Sequence, residues 1–263
     1  MIFRLFFLFV TMTACMTSGR SAAAESVKPL VVGMELAYPP FEMTDKVGKP
    51  SGVSVDLATS LAKSLGRPVV IENTSFDGLI PALKTGKVDL VISSMTATAE
   101  RAKSIDFSDP YISTGLCLLL KKNSGAKTIA DLDKAGAKIA VKKGTTGHIY
   151  ATNHLKKAHI LVLDKESAAV LEVSQGKVDA FIYDQMSTFQ NWQRNKATTR
   201  AILEPFQQES WAIGIRKGND DLKQRVNTFI REYRAKGGFE QLGDRYLKEM
   251  KGEFKQLGFR FFL

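Results

Sequence analysis

The sequence predicts an α/β fold with two lobes, each a mostly parallel sheet flanked by helices. Strand and helix patterns alternate in the order β-α-β-α-β over residues 30–92 and again over residues 138–183, an order typical of parallel sheets covered by helices. Residues 86–92 (GKVDLVI) and 176–182 (GKVDAFI) also resemble each other at a spacing of 90 residues. The repeated order and the repeated segment together indicate two lobes of the same architecture.

Apolar spacing and turn residues predict the elements of the first lobe. The strand runs are short and apolar, whereas the helix patterns have a helical period and end at a glycine. Asp77 is predicted to cap the second helix. The predicted elements are strand 30–33, helix 55–65, strand 69–71, helix 78–84 and strand 88–92.

The same signals recur downstream. The strand that ends near Val141 runs into Gly144-Thr145-Thr146-Gly147, a turn from which a helix can start. Two apolar stripes with helical spacing lie in the C-terminal part, after Leu222 and after Phe239. The predicted elements are strand 138–141, helix 148–157, strand 160–163, helix 166–173, strand 178–183 and two helices over 222–246.

The composition is that of a globular protein. The chain has 263 residues, of which 44% are hydrophobic and 24% charged, and this excludes disorder, collagen and coiled coil as its main state. The 37 Lys and Arg residues exceed the 27 Asp and Glu residues, but no basic stripe is interleaved with aromatic residues. The positive charge therefore predicts a solvated surface and not a nucleic-acid-binding one.

The N-terminus predicts export. Arg4 precedes the apolar run LFFLFVTMTACM, and Ala22-Ala23-Ala24 stands before Glu25, which is the layout of a signal peptide over residues 1–24. No later run reaches the about 18 apolar residues of a membrane span, so we expect a periplasmic protein. One alternative stays open: Met12-Thr13-Ala14-Cys15 resembles a lipoprotein box, and cleavage there would leave a lipid anchor on Cys15.

Two predicted strands end on polar side chains. Residues 88–92 run into Ser93-Ser94, and residues 178–183 run into Asp184. Because ligands of parallel sheets bind beyond the carboxyl ends of the strands, two facing sheets would form a cleft lined by Ser94 and Asp184. Cys117 lies in an apolar run and is predicted to be a buried, inert thiol. The three histidines lack the spacing of metal ligands, so neither a metal nor a cofactor is expected.

Six stretches in order resemble the bacterial extracellular solute-binding proteins of family 3, the polar amino-acid receptors of ABC importers. They are VGMELAYPPFE (32–42), GVSVDLATSLAKSLG (52–66), FDGLIPALKTGKVDLVISSMTATAERAKSIDFSDPY (76–111), IAVKKGTTG (139–147), VDAFIYD (178–184) and AIGIRKGNDDL (212–222). The resemblance implies a type II periplasmic-binding-protein clamshell whose lobes close around a ligand by hinge motion. Lobe 1 would comprise residues 25–111 and 212–263, with an extension after Leu247, and lobe 2 residues 112–211. Hinge strands would lie near residues 113–118 and 208–212.

The resemblance also implies how the main-chain groups of an amino acid are held. Arg101 would bind the carboxylate, because a guanidinium fork matches a carboxylate with two hydrogen bonds. Thr146 would donate to the same carboxylate from the opposite lobe, and Asp184 would accept from the ammonium. Without the resemblance, a surface arginine paired within a helix is the favoured interpretation of Arg101. Asp184 could instead cap the helix from Gln185 onward, and both functions could hold at once. Three hydroxyl residues would add polar groups: Ser93, Ser94 and Thr96.

Side-chain selectivity is predicted at three further positions. Tyr38 and Phe76 would place aromatic rings against the ligand's side chain, although aromatic residues more commonly pack in a core. Glu35 would face the distal group, which suits a cationic or amide side chain. A carboxylate there could instead bond a neighbouring main-chain amide and select nothing. The identity of the amino acid stays open among basic amino acids, glutamine and cystine.

The partners follow from the same resemblance. We expect a monomer that binds a free amino acid and docks on the transmembrane permease subunits of an ABC importer, without nucleic acid. An alternative is a cleft enzyme of the same fold, such as a cyclohexadienyl dehydratase, which needs a catalytic carboxylate. A second alternative is a ligand sensor.

Overall fold

The computed structural model describes residues 27–259. The predicted signal peptide, its cleavage site and Cys15 therefore lie outside the described residues. Within residues 27–259, no helix is both long and apolar enough to cross a membrane. The strands, in chain order, are β1 (Leu30–Met34), β2 (Ala37–Tyr38), β3 (Glu42–Thr44), β4 (Pro50–Ser51), β5 (Val69–Asn73), β6 (Leu90–Val91), β7 (Ile105–Phe107), β8 (Ile112–Lys121), β9 (Lys138–Lys142), β10 (His159–Leu163), β11 (Ala180–Asp184), β12 (Thr199–Trp211) and β13 (Gly214–Arg216).

The strands form two five-stranded sheets and a small third sheet. The first has the order β5-β1-β6-β13-β7, the second β10-β9-β11-β8-β12, and the third β2-β3-β4. In the first sheet β1 is parallel to β5 and β6, whereas β13 is antiparallel to β6 and β7. In the second, β9 is parallel to β10 and β11, whereas β8 is antiparallel to β11 and β12. The two-lobe α/β fold is confirmed, but each large sheet is mixed, because strands outside the β-α-β-α-β runs add antiparallel partners.

The helices pack on these sheets through the predicted apolar faces. Leu57 and Leu61 of the first helix are fully buried, as are Val226 and Ile230 of the seventh. The Asn219 side chain caps the seventh helix by accepting from the Leu222 N–H. The helices, in chain order, are α1 (Val53–Ser64), α2 (Leu79–Thr85), α3 (Ala99–Ala102), α4 (Thr146–His154), α5 (Glu166–Ser174), α6 (Gln185–Arg194), α7 (Asp220–Ala235), α8 (Gly238–Tyr246) and α9 (Lys248–Gln256).

The predicted cap of the second helix is wrong. A short 3₁₀ turn, Phe76–Gly78, precedes α2, and Asp77 lies inside this turn and not at a helix cap. Pro81 suits the first turn of α2, because the missing N–H would have had no partner there. The Asp77 carboxylate instead pairs with Lys143 at 2.9 Å. Asp77 therefore links a turn of the first lobe to the loop after β9 of the second lobe.

Two long strands of the second sheet, β8 and β12, connect it in the chain to the first sheet. β8 follows the first sheet in the chain and β12 precedes its strand β13, and the two pair antiparallel with Trp211 opposite Ile112. Residues 113–115 of the first predicted hinge segment pair with residues 208–210 of the second. The predicted lobe boundaries remain predictions, as does the function of the C-terminal extension. Helix α9 of that extension buries Phe254 against Phe189 of α6, with ring centroids 4.9 Å apart.

Cys117 is buried in β8, as predicted. Its thiol donates to the main-chain oxygen of Leu203 at 3.3 Å, and burial raises the pKa of the thiol far above its usual range. A thiol that stays protonated is a poor nucleophile. Cys117 is therefore a packing residue of the second sheet.

Candidate functional site

A cavity between the two large sheets brings together all nine residues predicted from the sequence. The space in it that the centre of a water-sized molecule can occupy is about 40 Å³, and the cavity is partly open to solvent. The predicted residues that line it are Glu35, Tyr38, Phe76, Ser93, Ser94, Thr96, Arg101, Thr146 and Asp184. Residues that the sequence did not predict also line it, among them Glu42, Tyr183, Glu209 and Trp211. That these residues bind a ligand is a prediction; their convergence is the structural finding.

Arg101 is buried at the cavity and is not a surface arginine. Its N–H bonds to the Thr98 hydroxyl, which caps α3 and so sets the position of the side chain. Nη1 donates to the Thr96 carbonyl at 2.7 Å, and Nη2 donates across the cleft to the Gly144 carbonyl at 2.9 Å. Burial lowers the pKa of Arg101 to about 10, which leaves the guanidinium protonated at neutral pH. Among the described residues no carboxylate forms a salt bridge with Arg101, although the nearby charge of Glu209 raises its pKa. The guanidinium can therefore still form direct hydrogen bonds to a ligand carboxylate.

Glu209 accepts hydrogen bonds from two hydroxyl groups that were predicted to contact the ligand. The Thr96 and Thr146 hydroxyls both donate to its Oε2 atom, each at 3.0 Å. Gln207 donates to its Oε1 atom at 2.9 Å. Glu209 lies on β12 near the predicted hinge, and the sequence carried no signal for it because β12 reads as irregular apolar and polar residues. A resident carboxylate therefore stands beside the predicted carboxylate-binding position.

Asp184 caps a helix, the alternative given for it above, and it also lines the cavity. Its Oδ1 atom caps α6 by accepting from the N–H groups of Met186 (3.0 Å) and Ser187 (3.1 Å). The same atom accepts from the Tyr38 hydroxyl of the first lobe at 2.8 Å. Burial raises the pKa of Asp184 to about 7, although these hydrogen bonds act in the opposite direction. An ammonium group in the cavity would favour the charged form.

A buried carboxyl group, Glu42, holds the two serines. Its Oε2 atom accepts from Ser54 at 2.6 Å and from Ser94 at 3.1 Å, and its Oε1 atom accepts from Ser93 at 3.4 Å. Burial raises the pKa of Glu42 to about 8. Ser94 has a φ of 48°, a left-handed conformation that is costly for a residue with a side chain and is common at functional sites. The serine hydroxyls thus donate to Glu42 and keep their oxygens as acceptors.

Glu35 forms an ion pair that the sequence did not predict. Its Oε2 atom contacts Nζ of Lys142, which stands at the end of β9 in the second lobe. The Lys142 side chain is only 2% exposed, so its charge is almost fully removed from water. The main-chain N–H of Glu35 donates to Ser93 Oγ at 3.0 Å, while its side chain faces Lys142 and not a main-chain amide. Glu35, which was predicted to attract a cationic or amide group of the ligand, is therefore already paired with the Lys142 ammonium.

Aromatic rings complete the cavity. Tyr38 stacks on Phe41 with centroids 5.3 Å apart, and Trp211 meets Phe41 edge-on at 5.1 Å. Phe76 lies 5.4 Å from the Arg101 guanidinium carbon and 5.5 Å from Lys142 Nζ, measured to its ring centroid. Such rings attract cations through the negative charge of their faces. Tyr38 and Phe76 are therefore lining residues as well as packing residues.

The fold and this cavity define a two-lobe α/β binding protein of the periplasmic type. The chain belongs to the bacterial extracellular solute-binding proteins, family 3, whose family model matches residues 30–249. It is 31% identical over 218 residues to the L-cystine-binding protein TcyJ of Escherichia coli (strain K12), covering 82% of each chain. The family places the protein outside the cytoplasm, and its relatives in these comparisons are transport-binding proteins.

Solved structures agree in fold. An ancestral arginine-binding protein bound to arginine is 35% identical with a TM-score of 0.78, covering 83% of this chain and 98% of that one. An ancestral amino acid-binding protein, a precursor of cyclohexadienyl dehydratase, is 37% identical with a TM-score of 0.76, covering 83% of this chain and 95% of that one. The clamshell expected from the sequence is therefore the fold of this protein.

Proposed function

We propose that this protein captures a free polar amino acid between its lobes and delivers it to the permease of an ABC importer. The observation that carries the proposal is the convergence of Arg101 from the first lobe and Asp184 from the second on one buried cavity. The two groups have the charges needed for the carboxylate and the ammonium of an amino acid. Family membership and relatives that bind cystine or arginine support the same conclusion.

The proposed contacts follow from this charge arrangement. Arg101 binds the carboxylate with two parallel hydrogen bonds, aided by Thr146 at the start of α4. Asp184 accepts from the ammonium in its ionised form. Ser94 and Thr96 supply polar groups after β6, and Ser93 positions Glu35. Tyr38 and Phe76 cover the side chain of the ligand.

Delivery requires the lobes to open and close. In this structure they touch across the cleft through Tyr38–Asp184 and Asp77–Lys143, so a ligand enters after a hinge motion along β8 and β12. The closed form is the one presented to the permease, and the protein acts as a periplasmic monomer. A lipid anchor on Cys15 is the alternative means of retention.

A ligand screen tests the proposal. Thermal unfolding is measured for purified protein with each amino acid, because a ligand that binds only the folded state raises stability with the logarithm of its concentration. Arg101→Ala is expected to abolish every shift, since losing a buried charge partner costs about 2–5 kcal/mol. Arg200→Ala is the matched control, because the Arg200 guanidinium also donates to a main-chain oxygen (Ser124) but lies outside the cavity. Unchanged shifts in Arg101→Ala would contradict the proposed carboxylate contact.

A second candidate function is a dehydratase of the same fold. Two cavity carboxyl groups, Asp184 and Glu42, have pKa values raised to about 7 and about 8, which suits proton transfer at neutral pH. One of the similar structures is a precursor of cyclohexadienyl dehydratase. Incubation with prephenate or arogenate, followed by absorbance of the aromatic product, tests this function. Product formation that Asp184→Asn or Glu42→Gln removes would establish the enzyme.

A further inference from the structure

Helix α9 forms a further connection between the two halves of the molecule, besides the strands β8 and β12. It follows α8 after a single residue, the buried Leu247. Helix α8 packs on α1 and α7, and α1 packs on β5 of the first sheet. Helix α6 packs on β8, β11 and β12 of the second sheet. A contact between α9 and α6 therefore joins the helices of one sheet to those of the other.

Helix α8 fixes the first end of this connection. Its residue Phe239 is buried in the core, and Arg245 pairs with Asp56 of α1 at 2.8 Å. Lys251 of α9 reaches back to Asp244 of α8 at 2.7 Å and so braces the bend between the two helices. Because only one residue separates α8 from α9, we expect α9 to move together with α8 and α1.

An aromatic contact forms the second end. Phe254 of α9 meets Phe189 of α6 edge-on, with ring centroids 4.9 Å apart and the ring planes at 74°. Both rings are buried, and Met250 of α9 is buried as well. Phe254 also contacts Phe259, and Phe189 contacts Trp192 of its own helix, each at a centroid distance of 6.1 Å. Edge-to-face pairs of this kind are favourable beyond the burial of their area.

Helix α6 also carries a residue of the candidate site. It begins directly after Asp184, which caps it and lines the cavity. Phe189 lies five positions further on in the same helix and therefore moves with Asp184. A hinge motion that carries Asp184 away from Tyr38 displaces α6 relative to α1 and α8. The contact of Phe254 with Phe189 cannot stay unchanged in that motion, because α9 is held by α8.

The surroundings of this contact suit a reversible attachment. A solvent-open groove runs beside it between α6 and the α8–α9 segment. Polar and charged side chains of both helices line this groove, among them Gln190, Gln193, Lys248, Glu249 and Glu253. Such groups remain hydrated whether or not the helices touch, so little desolvation opposes either state. Apolar side chains at the base of the groove therefore decide whether α9 stays docked.

We propose that α9 is a strap that holds the two lobes in the closed arrangement before a ligand binds. Family membership does not imply this strap, because the family model matches residues 30–249 and so includes only the first two residues of α9. An element that stabilises the closed form alone raises the closed population. It also raises the apparent affinity for any ligand that requires closure. The proposal goes beyond the proposed function, because closure without ligand does not depend on what the ligand is.

Small-angle X-ray scattering of the ligand-free protein is the first test. Phe254→Ala should have a larger radius of gyration than wild-type protein, because its lobes open more often. Phe229→Ala is the matched control: Phe229 is also a buried phenylalanine of the C-terminal helices, but it stacks on Tyr233 of its own helix, α7. The control should lose stability and keep the wild-type radius. Phe254→Leu repeats the test if the alanine variant fails to fold.

A double-variant comparison shows whether the two rings act through one contact. Phe189→Ala should enlarge the radius as Phe254→Ala does. The combined variant should then show no further increase, because residues that share one contact are not additive. A radius in the combined variant that is the sum of both increases would contradict the strap.

Calorimetric titration with L-arginine and L-cystine as probes is the second test. In Phe254→Ala the dissociation constant of a probe that binds wild-type protein should rise about tenfold, and in Phe229→Ala it should stay unchanged. An unchanged radius in Phe254→Ala would overturn the proposal. A smaller radius with tighter binding would show instead that α9 holds the lobes apart. If wild-type protein binds no amino acid but the radius of Phe254→Ala increases, the proposed function fails and the strap stands.

Discussion

The Tyr38 hydroxyl of the first lobe donates a hydrogen bond to Oδ1 of Asp184 in the second lobe, at 2.8 Å and inside the cavity. Both residues are buried, and they lie 146 positions apart in the chain. The bond joins an aromatic residue beside the cavity to the carboxylate proposed for the ligand's ammonium. In the proposed hinge motion, opening the lobes would break this bond and closing them would restore it, so the contact would couple the lobe arrangement to the charge state of Asp184.

Tyr38→Phe is expected to weaken amino-acid binding at pH 7 by about tenfold, because Asp184 loses a donor that stabilises its ionised form. The pKa of Asp184 then rises above about 7. Affinity for the ligand should therefore fall at a higher pH on acidification than in wild-type protein. Titrations between pH 5 and 8 measure the midpoint. Tyr246→Phe, which removes a hydroxyl bonded to Asp56 outside the cavity, is the control; coincident profiles for Tyr38→Phe and wild type would contradict this role.

Glu42→Gln should flatten the pH dependence of stability. The folded-state pKa of Glu42, about 8, exceeds its unfolded value near 4.5, so the folded state holds the proton more tightly. Stability from this group is complete at low pH and is lost as pH rises from about 4.5 to about 8, at up to about 1.4 kcal/mol per pH unit. Asp184 acts with the same sign up to about pH 7, so part of the slope remains. Urea unfolding at several pH values gives the slope, and parallel curves for the variant and wild type would refute the assignment.

Glu209→Gln should strengthen binding of every amino acid by about tenfold, or about 1.4 kcal/mol. The carboxylate of Glu209 holds the Thr96 and Thr146 hydroxyls and repels a ligand carboxylate placed near Arg101. Glu204→Gln makes the same charge change at an exposed position of β12 and should leave affinity unaltered. Weaker binding in Glu209→Gln would mean that Glu209 contacts the ligand's ammonium.

Gly144→Ala should impair closure as well as stability. Gly144 has a φ of +76°, and an added Cβ would stand 3.1 Å from the Asp77 Cβ across the cleft. Gly136 has a similar φ of +83° and open space around it, so Gly136→Ala carries only the backbone cost of about 1–2 kcal/mol. Both variants should unfold earlier on heating, but Gly144→Ala alone should lose affinity. Equal affinities in the two variants would show that the close approach to Asp77 does not limit closure.

Local signals accounted for most of the fold. The capping of α3 by Thr98 and of α6 by Asp184 uses donors only two or three residues away, and a sequence records such neighbours directly. The prediction that Asp77 caps α2 was wrong because a 3₁₀ turn, Phe76–Gly78, precedes the helix. An Asp before an apolar run is equally compatible with a 3₁₀ turn and with a helix cap. The mixed sheets were missed because antiparallel partners such as β8 and β12 pair segments distant in the chain.

The sequence by itself determined the family, the two-lobe fold and nine of the residues that meet at the cavity, because motifs at strand ends and helix starts keep their positions relative to the sheets. Only the tertiary structure decided which charges face one another. Lys142 reaches Glu35 across 107 residues, and Glu209 reaches Thr96 across 113. Each of these side chains reads in the sequence as an ordinary polar residue of a strand or loop. Their electrostatic effect depends on burial and on distance, and both arise only when the lobes come together.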